Sequence, residues 1–440
     1  MTEPAVSVSP YWELTFDADG DVDGRERDRW IREVTRRKVR DLIVFAHGWN
    51  SDRSTATRLF SQFLAPVPGL APAARLGYAG VVWPSMRFSD EPIPDFPRPV
   101  AATAAPDEGS PLGKNTRHAL LEVFPGRATV VEQIARLLDQ QPDDGASLEE
   151  FGRLVRLLVE VRPQGPQASF AADTLAEGVP ESDPEMLFGD TATVCSAFAR
   201  ALAGTGTPGA ETFALPRLWD GALELLRQAT YYAMKRRAGT VGERGLGPAV
   251  GRLAAAAPGV RVHLVGHSFG GRLVSFALRG LPPGVRTVKS VTLLQGAFSH
   301  YAFASRLPHD PRASGVLDGQ YHRIDGPLVC CYSRFDSALG TVYPLASRMA
   351  GDDRSVVADF GIGRALGAQW GAMGHDGVQA VPGTKSYTLA EALRTRLPVS
   401  GCVNVDTASV VRRGGAPAGA HSDICHHELA RLVLAAGRVG

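Results

Sequence analysis

Gly266-His267-Ser268-Phe269-Gly270 has the spacing of a G-x-S-x-G pentapeptide. Its neighbours give that spacing a mechanical meaning. The run RVHLVGHS (261–268) is nearly all apolar and reads as a strand that ends on the serine, and GGRLVSFALRGL (270–281) reads as a helix that starts directly after it. Glycines on either side allow a sharp strand-to-helix turn, which lifts a serine hydroxyl clear of a sheet, and Gly271 adds close packing of the helix. A serine presented in this way is a nucleophile for acyl transfer. That chemistry builds negative charge on a carbonyl oxygen and needs two backbone N–H donors aimed at it. The N–H of Phe269 is one candidate, favoured by the helix N-terminus that follows. The N–H of Trp49 is the other, since His47-Gly48-Trp49-Asn50 closes an apolar run, LIVFAHGWN (42–50), of the same kind.

Such groups need a scaffold that brings strand ends together. Six short runs fit strands: 42–50, 79–85, 261–268, 290–296, 327–336 and 402–406. They are continuously apolar rather than alternating, as parallel strands covered on both faces must be. Helical patterns lie between them, and HELARLVLAA (427–436) closes the chain with another. The fold class is therefore α/β, a doubly wound and mostly parallel sheet. The N-terminal YWELTFDADGDVDG reads as an edge strand and a tight turn, an antiparallel hairpin feeding a basic helix at 25–40. Asp19, Asp21 and Asp23 have the spacing of half an EF-hand loop. The twelfth position, however, is Trp30 where a bidentate Glu is required, so a solvated turn is the better reading.

The interval between 79–85 and 261–268 is too long for one crossover. Residues 91–114, rich in Pro, Ala and Gly, read as loop. SLEEFGRLVRLLVEV opens with a capping box, Ser147 to Glu150, and places Phe151, Leu154, Val155 and Leu158 on one helix face. Two helices, 217–236 and 246–256, lead back to the core. Residues 86–215 thus form a helical cap inserted into a core made of 1–85 and 216–440. Trp83 and Pro84, with Phe88, Phe96 and Phe188 of the cap, are apolar groups available to line an acyl pocket.

HGWN followed much later by GHSFGG resembles the α/β-hydrolase superfamily, and the HGW turn is similar to that of many lipases and esterases. The resemblance implies an order: oxyanion turn, cap, nucleophile elbow, acid after a late strand, histidine after the last. Asp336, at the end of PLVCCYSRFD, takes the acid's place; Asp406, ending CVNVD, is its rival and Asp310 a remote third. His421, in a loop before the final helix, takes the place of the general base. His426 and His427 sit at that helix's start, and His375 precedes the last strand. The implied activity is hydrolysis of an apolar carboxylic ester of medium size through an acyl-enzyme, with a small-molecule acyl ester as substrate and no cofactor. An amidase, thioesterase or acyltransferase using the same triad, or a binding module without turnover, are the alternatives. His421, Asp423, Cys425, His426 and His427 crowd together but match no HExxH or CxxC spacing, so no metal is expected.

Composition narrows the remainder. In 440 residues, 47 Lys and Arg face 46 Asp and Glu, which gives no general attraction to nucleic acid or anionic lipid. A chain 44% hydrophobic and 21% charged belongs with globular proteins. No apolar run reaches the roughly 18–20 residues of a spanning helix, and the N-terminus has neither a basic start nor an apolar stretch. Five cysteines in no disulfide-framework spacing, three of them in strand-like runs, point to a reducing, cytoplasmic setting. Nothing in the sequence speaks to the oligomeric state.

Overall fold

The computed structural model describes residues 6–49, 51–86, 111–159, 168–180, 187–204, 218–336, 371–414 and 419–440. Asn50, Phe88, Phe96 and most of the loop at 91–114 lie outside these residues.

Eight strands build the main sheet: β1 (Tyr11–Thr15), β2 (Asp41–Ala46), β3 (Leu76–Val82), β4 (Arg261–His267), β5 (Val288–Leu294), β6 (Pro327–Tyr332), β7 (Lys385–Thr388) and β8 (Gly401–Asp406). Their spatial order is β1-β3-β2-β4-β5-β6-β8-β7, and every adjacent pair is parallel. All six expected runs are strands here. β2 explains the continuous apolar pattern: Leu42 and Val44 enter one core while Ile43 and Phe45 enter the other. On the second face Phe45 meets Phe60 and Phe63 of α2 (Arg53–Leu64) at ring separations of 5.2 and 5.0 Å.

The N-terminal strand corrects one expectation. β1 is an edge strand, but it pairs in parallel with β3. The return past the turn makes a single antiparallel bridge, Phe16 to Val22, before Asp23 caps α1 (Gly24–Arg36). Asp17 Oδ1 accepts from the N–H groups of Asp19 and Asp21, so the acidic cluster is a self-capped turn.

Between β3 and β4 the described residues are largely helical: α3 (Lys114–Val123), α4 (Ala128–Gln140), α5 (Gly145–Leu158), α6 (Thr191–Gly204), α7 (Leu218–Thr240) and α8 (Gly247–Ala256). Phe151, Leu154, Val155 and Leu158 are all buried, as the helical period requires. The N-cap of α5 is Asp144, however. Its carboxylate takes the Ser147 N–H at 2.7 Å, which leaves Glu150 to pair with Arg153. The helix therefore begins three residues before the expected capping box. A π-helical segment, Val241–Leu246, joins α7 to α8, so two expected helices run as one element. These helices bury their apolar faces in the same core as α1, α9 (Phe269–Gly280) and one face of the sheet. α10 (Leu389–Arg394) and α11 (His427–Gly437) complete the other layer. No described helix is long and apolar enough to cross a membrane.

Candidate active site

Parallel topology sends the C-terminal ends of β4, β5, β6 and β8 to one edge of the sheet, where an open α/β sheet gathers its ligand-binding loops. Ser268 follows β4 with φ +55° and ψ −122°, a left-handed backbone that a non-glycine residue adopts only at a cost of about 1–3 kcal/mol. The tight approach of neighbouring backbone makes the turn possible. A Cβ on Gly270 would lie 2.0 Å from the Ala46 carbonyl oxygen of β2. Although Ser268 occupies the N-cap position of α9, its hydroxyl does not cap the helix.

That hydroxyl meets His421 instead. Ser268 Oγ and His421 Nε2 are 2.8 Å apart, and His421 Nδ1 lies 2.8 Å from Asp336 Oδ2. An ionised carboxylate only accepts, so Nδ1 carries the ring proton and Nε2 is left to accept from Ser268 Oγ–H. Asp336 is fully buried, and the His421 side chain keeps 15% of its surface. The three residues, 153 and 85 positions apart along the chain, thus form one hydrogen-bonded line.

The loop bearing His421 is held at several points. Asp423 Oδ2 accepts the N–H groups of Arg412 and Arg413, while its Oδ1 bonds His426 Nε2 at 2.9 Å. The Ala420 N–H donates to the Phe335 carbonyl beside Asp336. His267 Nε2–H donates to the carbonyl of His421 itself at 3.0 Å, with the two rings 5.2 Å apart. His267 is the unnamed x of the pentapeptide, and the motif gave it no role.

Gly48 brings the second donor turn into contact with the elbow. A Cβ there would stand 2.7 Å from Ser268 Cβ. His47 Nδ1–H donates to the Gly48 carbonyl at 2.8 Å, so the trans peptide turns the Trp49 N–H away from that anchor. Trp83 fixes the turn from behind: its indole N–H donates to the His47 carbonyl at 2.9 Å, and its ring stacks on the imidazole at 5.5 Å. Sequence placed Trp83 near this edge without that function. Among the described residues, neither the Trp49 nor the Phe269 N–H has a hydrogen-bond partner. The Trp49, Tyr231 and Phe269 rings gather around the same turn, Tyr231 lying 5.5 Å from Trp49 and 4.9 Å from Phe269.

The rival residues are engaged elsewhere. Asp406 Oδ1 accepts the Ala408 N–H in a turn after β8, and Asp310 pairs with Arg312. His375 and His300 share Asp376, at 2.8 and 3.2 Å. His427 opens α11, and Phe188 is half exposed. Among the described residues no three His, Cys, Asp or Glu side chains converge as a metal set.

A second Ser-His-Asp line shows what hydrogen bonds alone do not confer. Ser290 Oγ, His263 and Asp41 connect at 2.9 and 3.0 Å near the opposite strand ends. All three are sealed in the core, and Ser290 lies inside a strand rather than on a turn. Of the two serines, Ser268 alone has the strained turn and a partly exposed histidine partner.

Three buried histidines here stay neutral. Burial pushes the His47 pKa down to about 4 and that of His267 to about 3, and it lowers His263 as well. The unfolded chain protonates these rings near pH 6.5. It therefore binds more protons than the folded chain below that value, and stability rises with pH across this window. Their contribution is complete above about pH 6.5 and is lost as pH falls toward the folded values. His375, raised by its bond to Asp376, titrates in the opposite sense but adds nothing further once both states are protonated. The unfolding free energy from urea titration is expected to fall steeply from about pH 6.5 to pH 5, at up to about 1.4 kcal/mol per pH unit for each ring. A flat profile across that range contradicts their neutral burial.

A buried ion cluster braces the elbow helix. Asp173 pairs with Arg272 and, at 2.9 Å, with Lys235, and it accepts the Ser299 N–H at 3.1 Å. Arg272 also donates to the carbonyls of Phe170 and Ala172, both at 2.7 Å. Asp173→Asn would leave two cations buried beside a neutral amide. Thermal or urea unfolding should register a loss of about 3–5 kcal/mol.

No protein-family model, curated protein or solved structure matches this chain.

Proposed function

We propose that this protein is a serine hydrolase that cleaves a carboxylic ester of apolar character. The single observation that carries the reading is the line from Ser268 Oγ through His421 to Asp336, 2.8 Å at each step, starting from a left-handed serine at a strand-to-helix turn. In this reading the sheet is an α/β-hydrolase core, with nucleophile, acid and base after β4, β6 and β8. The helical segments between β3 and β4 are its cap.

His421 Nε2 takes the Ser268 proton as Oγ attacks the ester carbonyl. The amides of Trp49 and Phe269 receive the oxyanion, and the buried charge of Asp336 stabilises the imidazolium. His421 then protonates the departing alkoxide, leaving an acyl-serine. Water, deprotonated by the same nitrogen, attacks that carbonyl; the acid leaves and Ser268 recovers its proton. His267, neutral because it is buried, holds the His421 backbone without competing for this proton. The Trp49, Tyr231 and Phe269 rings favour an apolar group beside the oxyanion.

Turnover of p-nitrophenyl esters of increasing acyl length tests the reading. The expected result is saturable hydrolysis that depends on Ser268, with kcat/KM rising from acetate to longer chains. Equal turnover by Ser268→Ala would defeat the assignment.

A further inference from the structure

Gln295 directly follows β5, the strand between the one that leads to Ser268 and the one that leads to Asp336. It is fully buried, and its backbone is left-handed at φ +48°. Its Nε2 donates to Asp336 Oδ2 at 3.2 Å and to the Gly374 carbonyl at 3.0 Å. These two acceptors fix the amide's orientation, because the reversed amide would set Oε1 against a carboxylate and a carbonyl. The arrangement leaves Oε1 buried with no partner among the described residues. Strained backbone and an orphaned acceptor at one residue are two local costs, and such costs gather where a geometry is needed for function.

The backbone around Gln295 shows what the geometry secures. The Leu294 carbonyl accepts the Ser268 N–H at 3.0 Å, and the Ala297 N–H donates to the Ser268 carbonyl at 3.3 Å. The Gln295 N–H reaches Cys331 of β6 at 3.3 Å. One turn thus bonds the peptide of the nucleophile, the strand of the acid and the acid's carboxylate.

We propose that Gln295 is a positioning residue that sets Asp336 for His421 and keeps the pair in register with Ser268. The role rests on the serine-hydrolase reading of these three residues. The amide N–H spreads part of the carboxylate's charge and fixes its rotamer. Without that donor, Asp336 pulls harder on the imidazolium and its rotamer is held less firmly.

The test uses the full chain with Gln295→Met, which removes the donor, and Gln295→Asn, whose shorter amide cannot reach Asp336. Asn also tolerates left-handed backbone, which protects the fold. The His421 ring is titrated by NMR in the resting protein and assigned with His421→Gln. The proposal expects its midpoint to rise by about half a pH unit in both variants. With an ester substrate, kcat should fall roughly tenfold to a hundredfold at unchanged KM. Added to Asp336→Asn, either change should cost nothing more. A His421 midpoint in Gln295→Asn equal to that of the wild type overturns the proposal, and so does a loss that multiplies with Asp336→Asn. The titration needs no turnover: a raised midpoint in a protein with no Ser268-dependent activity would retain the Gln295–Asp336 coupling and remove the hydrolase reading.

Discussion

Asp336→Asn is expected to lower kcat by about four orders of magnitude while the chain stays folded. In the proposed mechanism the carboxylate does two things for His421. It accepts the Nδ1–H at 2.8 Å, which leaves Nε2 free to take the Ser268 proton, and its buried charge stabilises the imidazolium. An amide removes the charge and offers an NH2 that favours the opposite tautomer. KM should change little, because Asp336 lies beneath the imidazole with no exposed surface. Asp406→Asn is the matched control: its carboxylate caps a turn after β8, so kcat should stay within about twofold. Steady-state rates on one ester decide between the two acids. If Asp406→Asn is the damaging change, the assignment of the acid fails.

The second large effect is expected from a single methyl group. Gly48→Ala places a Cβ 2.7 Å from Ser268 Cβ and 3.2 Å from the His267 carbonyl oxygen, so the turn must back away from the elbow. The Trp49 N–H moves with it. Losing one oxyanion donor costs roughly a hundredfold to a thousandfold in kcat. Gly69→Ala, where a Cβ meets nothing within 4 Å, should leave the rate unchanged. A Gly48→Ala variant that retains full activity would remove this turn from the mechanism.

Much of this site was legible in the sequence because its strongest signals are local. The elbow needs glycines two positions either side of a serine, between an apolar strand and a helix, and all of that fits within twenty residues. Asp336 and His421 were legible only through their order along the chain, since 85 residues separate them. Distance of this kind hid the supporting residues completely. Trp83 acts on His47 across 36 positions, and Gln295 acts on Asp336 across 41. Neither has a motif, because each is defined by the partner that the fold delivers.

The fold was legible where burial is two-sided. β7 (KSYT) was missed because it is a short polar strand on an exposed edge, with no apolar run to announce it. The parallel pairing of β1 was missed because a turn rich in Asp and Gly invites a hairpin, and only the contact with β3 rules that out. At α5, Asp144 and Ser147 both suit an N-cap, and nothing local decides between two capping residues three apart.

The most direct measurement is covalent labelling by a fluorophosphonate, with the adduct located by mass spectrometry. A serine activated by His421 should react once per chain, on the peptide that contains Ser268. The adduct should vanish in Ser268→Ala and form far more slowly in His421→Gln. An adduct on another residue, equal labelling of Ser268→Ala, or no labelling of the folded wild-type protein would contradict a nucleophilic Ser268.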